Sequence, residues 1–300
     1  MRVWLRLRLR GVRVTVAELG VGVGMRAKHY PQFLRGDVAP AEWVEVNAEK
    51  YVLDGSGDRS REDAHLQVLR LVRERMPVVL HGTSMSLGSA DGFHRRYVDQ
   101  LRALCDAIDP ALVSDHLCWS GVGGKRIPDL LPMPLTEESI DVLVPHILAV
   151  QDLLARPIAV ENLSTYLECS FSEMPEWQFI SEVVRRSGCL LLLDINNVYV
   201  SSTNHGWDAH EFLRNIPHDR VRQIHLAGHV DRGDMLIDTH AAHVVEPVWD
   251  LFEWYIGRYG TAWTMIEWDS QIPPWPELAA ELDRIKVIVE RVRAGSVRCA

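Results

Sequence analysis

No stretch of this chain approaches the ~18 consecutive apolar residues that a membrane-spanning helix needs, so no membrane is expected as a partner. Cysteine is sparse: Cys105, Cys118, Cys169, Cys189 and Cys299 are dispersed, with no CxxC pair. An odd, scattered set suits reduced thiols in a cytoplasmic protein and argues against a disulfide framework or a zinc ribbon. Positive charge is in deficit, with 32 Lys plus Arg against 41 Asp plus Glu and a formal net charge of -9. Proteins that grip a phosphate backbone usually carry a basic surface, so nucleic acid is not an expected partner either. There is no GxGxxG followed by an acidic residue, no GxxxxGK[ST] and no GxSxG, which leaves dinucleotide, P-loop and serine-hydrolase readings without support. Internal repeats, low-complexity tracts and Gly/Ser/Pro linkers are also missing.

The N-terminal MRVWLRLRLRGVRV alternates Arg with Val, Trp and Leu. A secretion signal would show an uninterrupted apolar stretch, so none is expected. Residues 1–14 are expected to form an arm or extension outside the domain, with an edge hairpin as the alternative because the alternation has period two. The remaining chain, taken as residues 15–295, is long and apolar enough to build one large core.

Seven short segments end in side chains that can bind metal, each where a buried strand would run out. They are MPVVLHG with His81, ALVSDHL with Asp115 and His116, PIAVEN with Glu161, LLLLDINN with Asp194, Asn196 and Asn197, IHLAGH with His225 and His229, IDTH with Asp238 and His240, and WTMIEWD with Glu267 and Asp269. Carboxylates and imidazoles are costly to bury unpaired, so their recurrence after apolar runs implies convergence on positive charge, most simply a cluster of metal ions.

Strand-like segments fall near residues 16–23, 42–47, 77–81, 111–115, 157–161, 189–194, 221–226 and 262–267. Helix-like stretches at 61–76, 93–108, 136–155, 176–188 and 243–260 lie between them, with Thr136 and Asp208 as start signals. Eightfold alternation of strand and helix predicts a single-domain α/β protein, a closed (β/α)8 barrel with its chemistry at the C-terminal ends of the strands. The segment 120–139 reads as the longest loop, a lid or wall over that mouth.

Glu161, Asp194, His225 and Glu267 come from strands five to eight and offer a mostly oxygen shell, suited to iron, manganese or magnesium more than to structural zinc. His81 and His116 suit a second ion, with Glu161 bridging. Asn196, His229, Asp238 and His240 suit a third, although a loop carboxylate that merely orients a histidine explains Asp238 and His240 equally well. Asp115 and Asp269 suit supporting roles beside the ligands. His29 with Tyr30, and Asn204-His205-Gly206, are expected in loops facing the mouth, near substrate; Asn197 is placed with them as a supporting or substrate-side residue.

The blocks Gly22-Val23-Gly24, His29-Tyr30, LHGTSMSLGS, SDHLCW, ENLSTYL, LLLDINNVYVSSTNHG, QIHLAGH, IDTH and IEWD together resemble the multinuclear non-haem iron-dependent oxidative enzymes. This family, formerly domain of unknown function 692, includes a methanobactin-biosynthesis iron oxidase. The resemblance spans roughly residues 18–285. It implies a xylose-isomerase-like TIM-type barrel holding two or three irons in mixed Fe(II)/Fe(III) states. His81, His116 and Glu161 would hold one iron, Glu161, Asp194, His225 and Glu267 a second, and Asn196, His229, Asp238 and His240 a third. His225, Glu161 and Asp194 would form the catalytic centre. Molecular oxygen would be the co-substrate. The substrate would be a ribosomally made precursor peptide with a leader segment, modified at a residue that is often Cys, and a small partner protein would present the leader. One departure is Thr83-Ser84-Met85, where the family pattern has Val-Gly-Leu. The rival readings from similar rims are a divalent-metal sugar isomerase or epimerase and an endonuclease-type hydrolase. No lysine stands near the strand-end motifs for the first, and no basic excess exists for the second.

Overall fold

The computed structural model describes residues 7–9, 12–14, 19–52, 59–123, 125–297. Strands β1 (Leu7–Leu9) and β2 (Val12–Val14) pair antiparallel as a two-stranded sheet of their own. The barrel is built from β3 (Val21–Gly24), β4 (Trp43–Asn47), β5 (Val78–His81), β6 (Leu112–His116), β9 (Ala159–Glu161), β10 (Leu190–Asp194), β11 (Val221–Leu226) and β14 (Trp263–Ile266). All neighbours pair in parallel, and the ring closes in the order β10-β11-β14-β3-β4-β5-β6-β9. The short runs rich in Val, Leu and Ile are buried on both faces, as strands covered by helices outside and packed side chains inside must be.

Helices α1 (Tyr30–Arg35), α2 (Arg59–Arg73), α3 (Arg95–Ile108), α4 (Glu137–Leu154), α5 (Glu176–Ser187), α6 (Ile195–His205), α7 (Ala209–Asn215), α8 (Glu246–Tyr259) and α9 (Trp275–Val297) follow the strands. Thr136 caps α4 by accepting from Ser139 N, and Asp208 caps α7 by accepting from His210 N.

Inside the barrel a second cluster of apolar side chains, including Trp43, Val79, Ala159, Leu192 and Met265, forms a floor. Each stands two residues before Glu45, His81, Glu161, Asp194 and Glu267 respectively, so the strand period of two stacks a polar layer on an apolar one. Trp43 fills the axis so closely that a Cβ on Gly22 would lie 2.2 Å from its ring, which requires glycine there.

Several expected loops are ordered elements instead. Within 120–139, β7 (Trp119–Val122) and β8 (Lys125–Leu131) form an antiparallel hairpin turning at Gly123, whose φ of +60° suits glycine. Asp238 lies in β13 (Leu236–Asp238), which pairs with β12 (His229–Asp231) so that His229 faces Asp238. Asn204 and His205 end α6, because Asp194 caps that helix and Gly206 closes it in the left-handed conformation. His29 ends a 3-10 turn, Ala27–His29, and Tyr30 begins α1 with Pro31 in its first turn.

Candidate metal centre

Seven barrel strands raise polar side chains above the apolar floor, and Glu161 is their hub. Its Oε2 lies 3.3 Å from His81 Nε2 and 3.3 Å from His116 Nε2, while its Oε1 lies 3.5 Å from His225 Nδ1. The register explains the convergence, since β6 and β9 pair His116 with Glu161, and β10 and β11 pair Asp194 with His225. His81 and His116 are held from behind: His81 Nδ1 is 2.8 Å from Ser114 Oγ, and His116 Nδ1 is 3.1 Å from the Gly82 carbonyl. A carbonyl can only accept, so the neutral His116 ring carries its proton on Nδ1 and presents a lone pair at Nε2.

Three groups of ligand atoms converge, each within 4.8 Å of one another: His81, His116 and Glu161; Glu161, Asp194, His225 and Glu267; and His240, Glu267 and Asp269. Glu161 joins the first to the second, and Glu267 joins the second to the third. His225 Nδ1 lies 2.9 Å and His240 Nδ1 3.2 Å from the same oxygen of Glu267. Glu161 Oε2, Asp194 Oδ2, His225 Nδ1 and His240 Nε2 are buried and make no contact of hydrogen-bond geometry among the described residues, although all but Asp194 Oδ2 lie within 3.3 Å of an oppositely charged or imidazole partner. Buried polar atoms without a hydrogen bond are rare, and four facing one space fit coordination by cations. A set of carboxylates and imidazoles without thiolate suits iron or manganese as well as magnesium.

The electrostatics point the same way. Burial is the largest influence on His225 and pulls its pKa down, yet the carboxylates of Glu45, Glu267 and Glu161 together hold it well above its ordinary value. His81 is raised against burial by Glu161, Glu45 and Glu267, and His240 against burial by Asp238 and Glu267. Conversely, burial pushes Glu267 up but His225 and His240 hold it well below the usual range. Asp194 is driven well up by burial, with Glu161 and Asp238 adding to the effect and His240 opposing it. Negative charge is so dense that imidazoles are driven to take protons, and a bound multivalent cation answers the same need.

The third expected group is only partly convergent. His240 Nε2 lies 2.7 Å from Asp238 Oδ1, and its Nδ1 lies 3.5 Å from Asp269 Oδ2. Its backbone is in the left-handed region, at φ 46°, and its carbonyl accepts from Asp269 N at 2.7 Å, fixing the turn that aims the ring inward. Asn196 and His229 stand one step back: Asn196 Oδ1 is 2.7 Å from His229 Nδ1, and Asn196 Nδ2 donates to Asp238 Oδ1 at 2.9 Å. Asp269, expected in a supporting role, belongs to the converging set and also pairs with Arg26.

Of the other expected supporting residues, Asn197 lines the cavity over the ligands and the rest make structural contacts outside it. Asp115 accepts from Ser84 N, Met85 N and His116 N, shaping the loop after β5, and burial raises its pKa to about 6. Asn197 donates to the Asn162 carbonyl at 3.1 Å and its N–H caps onto Asp194 at 2.6 Å. His29 bonds the Pro273 carbonyl at 2.9 Å and packs edge-on against Trp275, and Tyr30 bonds Tyr51 and His65. Neither lines the cavity of about 270 Å3 over the ligands, where Arg26, Glu45, His116, Tyr166, Asp238 and His240 do. His205 lies against Thr165, beside a separate cavity.

Several residues escaped sequence reasoning. Glu45 Oε2 sits 3.2 Å from His225 Nε2 and accepts from Gln223 Nε2 at 2.5 Å, so both stand directly behind the central imidazole. Asn162 clamps Asp194 through both backbone groups at 2.9 Å. The available signal was a polar residue inside an apolar strand, as in Trp43–Asn47 (WVEVN) and Val221–Leu226 (VRQIHL).

Comparison with known proteins adds a family. Residues 20–290 match the family described as RiPP precursor modification enzyme MbnB/TglH/ChrH. A UPF0276 protein of Caulobacter vibrioides (strain NA1000 / CB15N) is 47% identical over 278 residues, 93% of this chain and 97% of the relative. One from Rhizorhabdus wittichii is 50% identical over 262 residues, 87% and 91% of the two chains. Among solved structures, an L-ribulose 3-epimerase superposes with a TM-score of 0.61 at 12% identity, covering 93% of this chain and 97% of its own. A D-psicose 3-epimerase does so with a TM-score of 0.55 at 12% identity, covering 92% and 98%. At such identity these two show a shared barrel fold and nothing of activity.

Proposed function

Because the chain belongs to the MbnB/TglH/ChrH family of RiPP precursor modification enzymes, we propose that it is a multinuclear non-haem iron enzyme that uses molecular oxygen to modify a residue, Cys first among them, of a ribosomally synthesised precursor peptide. The observation that carries this reading is the run of three convergent ligand groups sharing Glu161 and Glu267 as corners. A lone structural ion needs no shared carboxylates, whereas a cluster does. In the proposed enzyme His81, His116 and Glu161 hold one iron, and Glu161, Asp194, His225 and Glu267 a second. His240, Glu267 and Asp269 hold a third, with Asp238 against the His240 ring and Asn196 and His229 behind it. Iron at these positions supplies one-electron redox chemistry and an acceptor for a substrate thiolate.

The chain's own residues set the conditions for that chemistry. Ser114 and the Gly82 carbonyl fix the rings of His81 and His116, and Glu45 with Gln223 fixes His225, so the ligand atoms are preorganised. The apolar floor keeps water from entering below, and the β7–β8 hairpin walls one side through Asp129 and Leu130. The proposed partners are a precursor peptide with a leader segment and a small protein that presents it, with no nucleic acid or membrane involved. Among the described residues no helix is long and apolar enough to cross a membrane. The sugar isomerase or epimerase reading has the fold in its favour and could use the Glu161, Asp194, His225 and Glu267 group alone; the shared corners at Glu161 and Glu267 favour the cluster.

The test is turnover. Iron-loaded protein, partly reduced and given its cognate peptide and partner, should consume oxygen and change the peptide's mass at one residue. His225→Ala should abolish this while leaving the barrel folded. Equal turnover without oxygen, or with magnesium in place of iron, would contradict the proposal.

A further inference from the structure

The connection between β9 and α5 separates two cavities, and alternate residues face each. Ser164 donates to Asp238 Oδ2 at 3.1 Å and Tyr166 OH accepts from Asp238 N at 3.0 Å, so both line the cavity over the ligands. Thr165 and Leu167 turn the other way, into a cavity of about 420 Å3, and Leu163 lines both. The second cavity therefore lies one chain thickness from the metal centre.

Its chemistry is distinctive. The walls are apolar, with Leu117, Met133, Phe179, Ile180 and Phe212 buried behind Trp177 and Trp207. The charged residues that line it are all acidic, namely Glu168, Glu176, Asp208 and Glu211. Asp208 is committed to Arg214, at 2.9 Å, and to capping α7; Glu168 lies 3.9 Å from His205. Glu176, in the first turn of α5, has no ion pair or side-chain hydrogen bond among the described residues. It is half-buried and lines the cavity. Desolvation by the surrounding protein pushes its pKa up to about 7. At the mouth, Leu167 is 74% and Phe171 65% exposed, an apolar approach on the same connection.

We propose that this cavity is a specificity subsite for a basic, long-stemmed side chain, Lys or Arg, of the same peptide whose reacting residue enters the metal cavity. The proposal rests on the peptide-modification reading above. An aliphatic stem lies favourably along the apolar walls while its cationic head pairs with Glu176 and the indole faces of Trp177 or Trp207. An arriving cation lets the Glu176 carboxyl ionise, so the pair forms at a group that is otherwise held neutral by burial. An anionic side chain would meet the same acids and be refused.

The experiment uses the full chain and fluorescein-labelled peptides that carry one Cys and one Lys at successive positions from it, each with a twin in which norleucine replaces Lys. Binding by fluorescence anisotropy needs no turnover, so it is read independently of the oxidation chemistry. The best Lys peptide should bind about tenfold more tightly than its norleucine twin. Glu176→Gln should erase that preference while leaving the affinity for the norleucine twin unchanged, and Glu211→Gln should reduce it less. Equal binding of the twins, or a Lys preference that survives Glu176→Gln in protein with unchanged circular dichroism, overturns the subsite. A Lys preference without any oxygen-dependent mass change would instead overturn the proposed reaction and leave the subsite standing. Oxidation of both twins at equal efficiency would do the reverse.

Discussion

Glu161 presents one carboxylate oxygen to His81 and His116 and the other to His225. Its removal should therefore affect two positions at once. In protein prepared anaerobically with iron, elemental analysis should find more than one iron per chain, Glu161→Ala should deplete two sites together, and His240→Ala should empty one. A single zinc that survives Glu161→Ala would contradict the cluster. Glu176 permits a test of a different kind. Its pKa is raised from an ordinary value of 4.5 to about 7, so the folded chain holds this proton more tightly than the unfolded chain does. The favourable contribution is complete below pH 4.5 and is lost as pH rises toward 7. Glu176→Gln, neutral throughout, should match the parent below pH 4.5 and exceed it above pH 7 by up to about 3 kcal/mol, less to the extent that solvent reaches the half-buried carboxyl. Denaturant melts of both proteins at each pH read this directly; a difference that does not change with pH would show that the carboxyl is not enclosed.

Asp194 ends β10 and caps α6 in the same stroke, with Oδ1 accepting from Asn197 N and Oδ2 left to the metal centre. The strand end, helix start and ligand position are thus one residue. Asn can cap a helix but carries no negative charge, whereas Ala can do neither. In metal-free protein Asp194→Asn should be at least as stable as the parent, because it removes a buried charge crowded by Glu161 and Asp238, and Asp194→Ala should fall below Asp194→Asn by ~1 kcal/mol. Both should lose iron. Equal thermal midpoints for the two variants would show that the cap contributes nothing. The same economy explains why Asn204 and His205 end a helix and do not lie in the expected loop: the block NNVYVSSTNHG is rich in residues with low helix propensity, and the cap at Asp194 with Gly206 at the far end outweighs that preference.

At the scale of the whole molecule, the barrel closes through β3 and β14, and among the described residues β1 and β2 pair with each other and with no barrel strand. Removing residues 1–14 should leave the thermal midpoint and the iron content close to those of the full chain. A substantial loss of either would mean that this segment packs against the barrel and that the domain begins earlier than residue 15.

Strand number, strand order along the chain and the rim position of His81, His116, Glu161, Asp194, His225 and Glu267 were legible in the sequence. A strand buried on both faces must be an unbroken apolar run, and a polar residue ending it has one place to go. Turn and hairpin structure outside the barrel was not, because the segments 119–131 and 229–238 lack long periodic patterns and take their form from pairing. The tertiary structure also decided which rim residues meet. Asn196 and His229 turned out to brace the third group, Asp269 to join it, and Asp115, His29 and Tyr30 to hold loops. Glu45 and Gln223 came to stand behind His225 only through closure of the ring, which lets side chains of β4 and β11, separated by β14 and β3, meet inside the barrel. One-dimensional patterning specifies how far up its strand each side chain stands; the distances between side chains on different strands are set by barrel register and curvature, which no local segment of the chain contains.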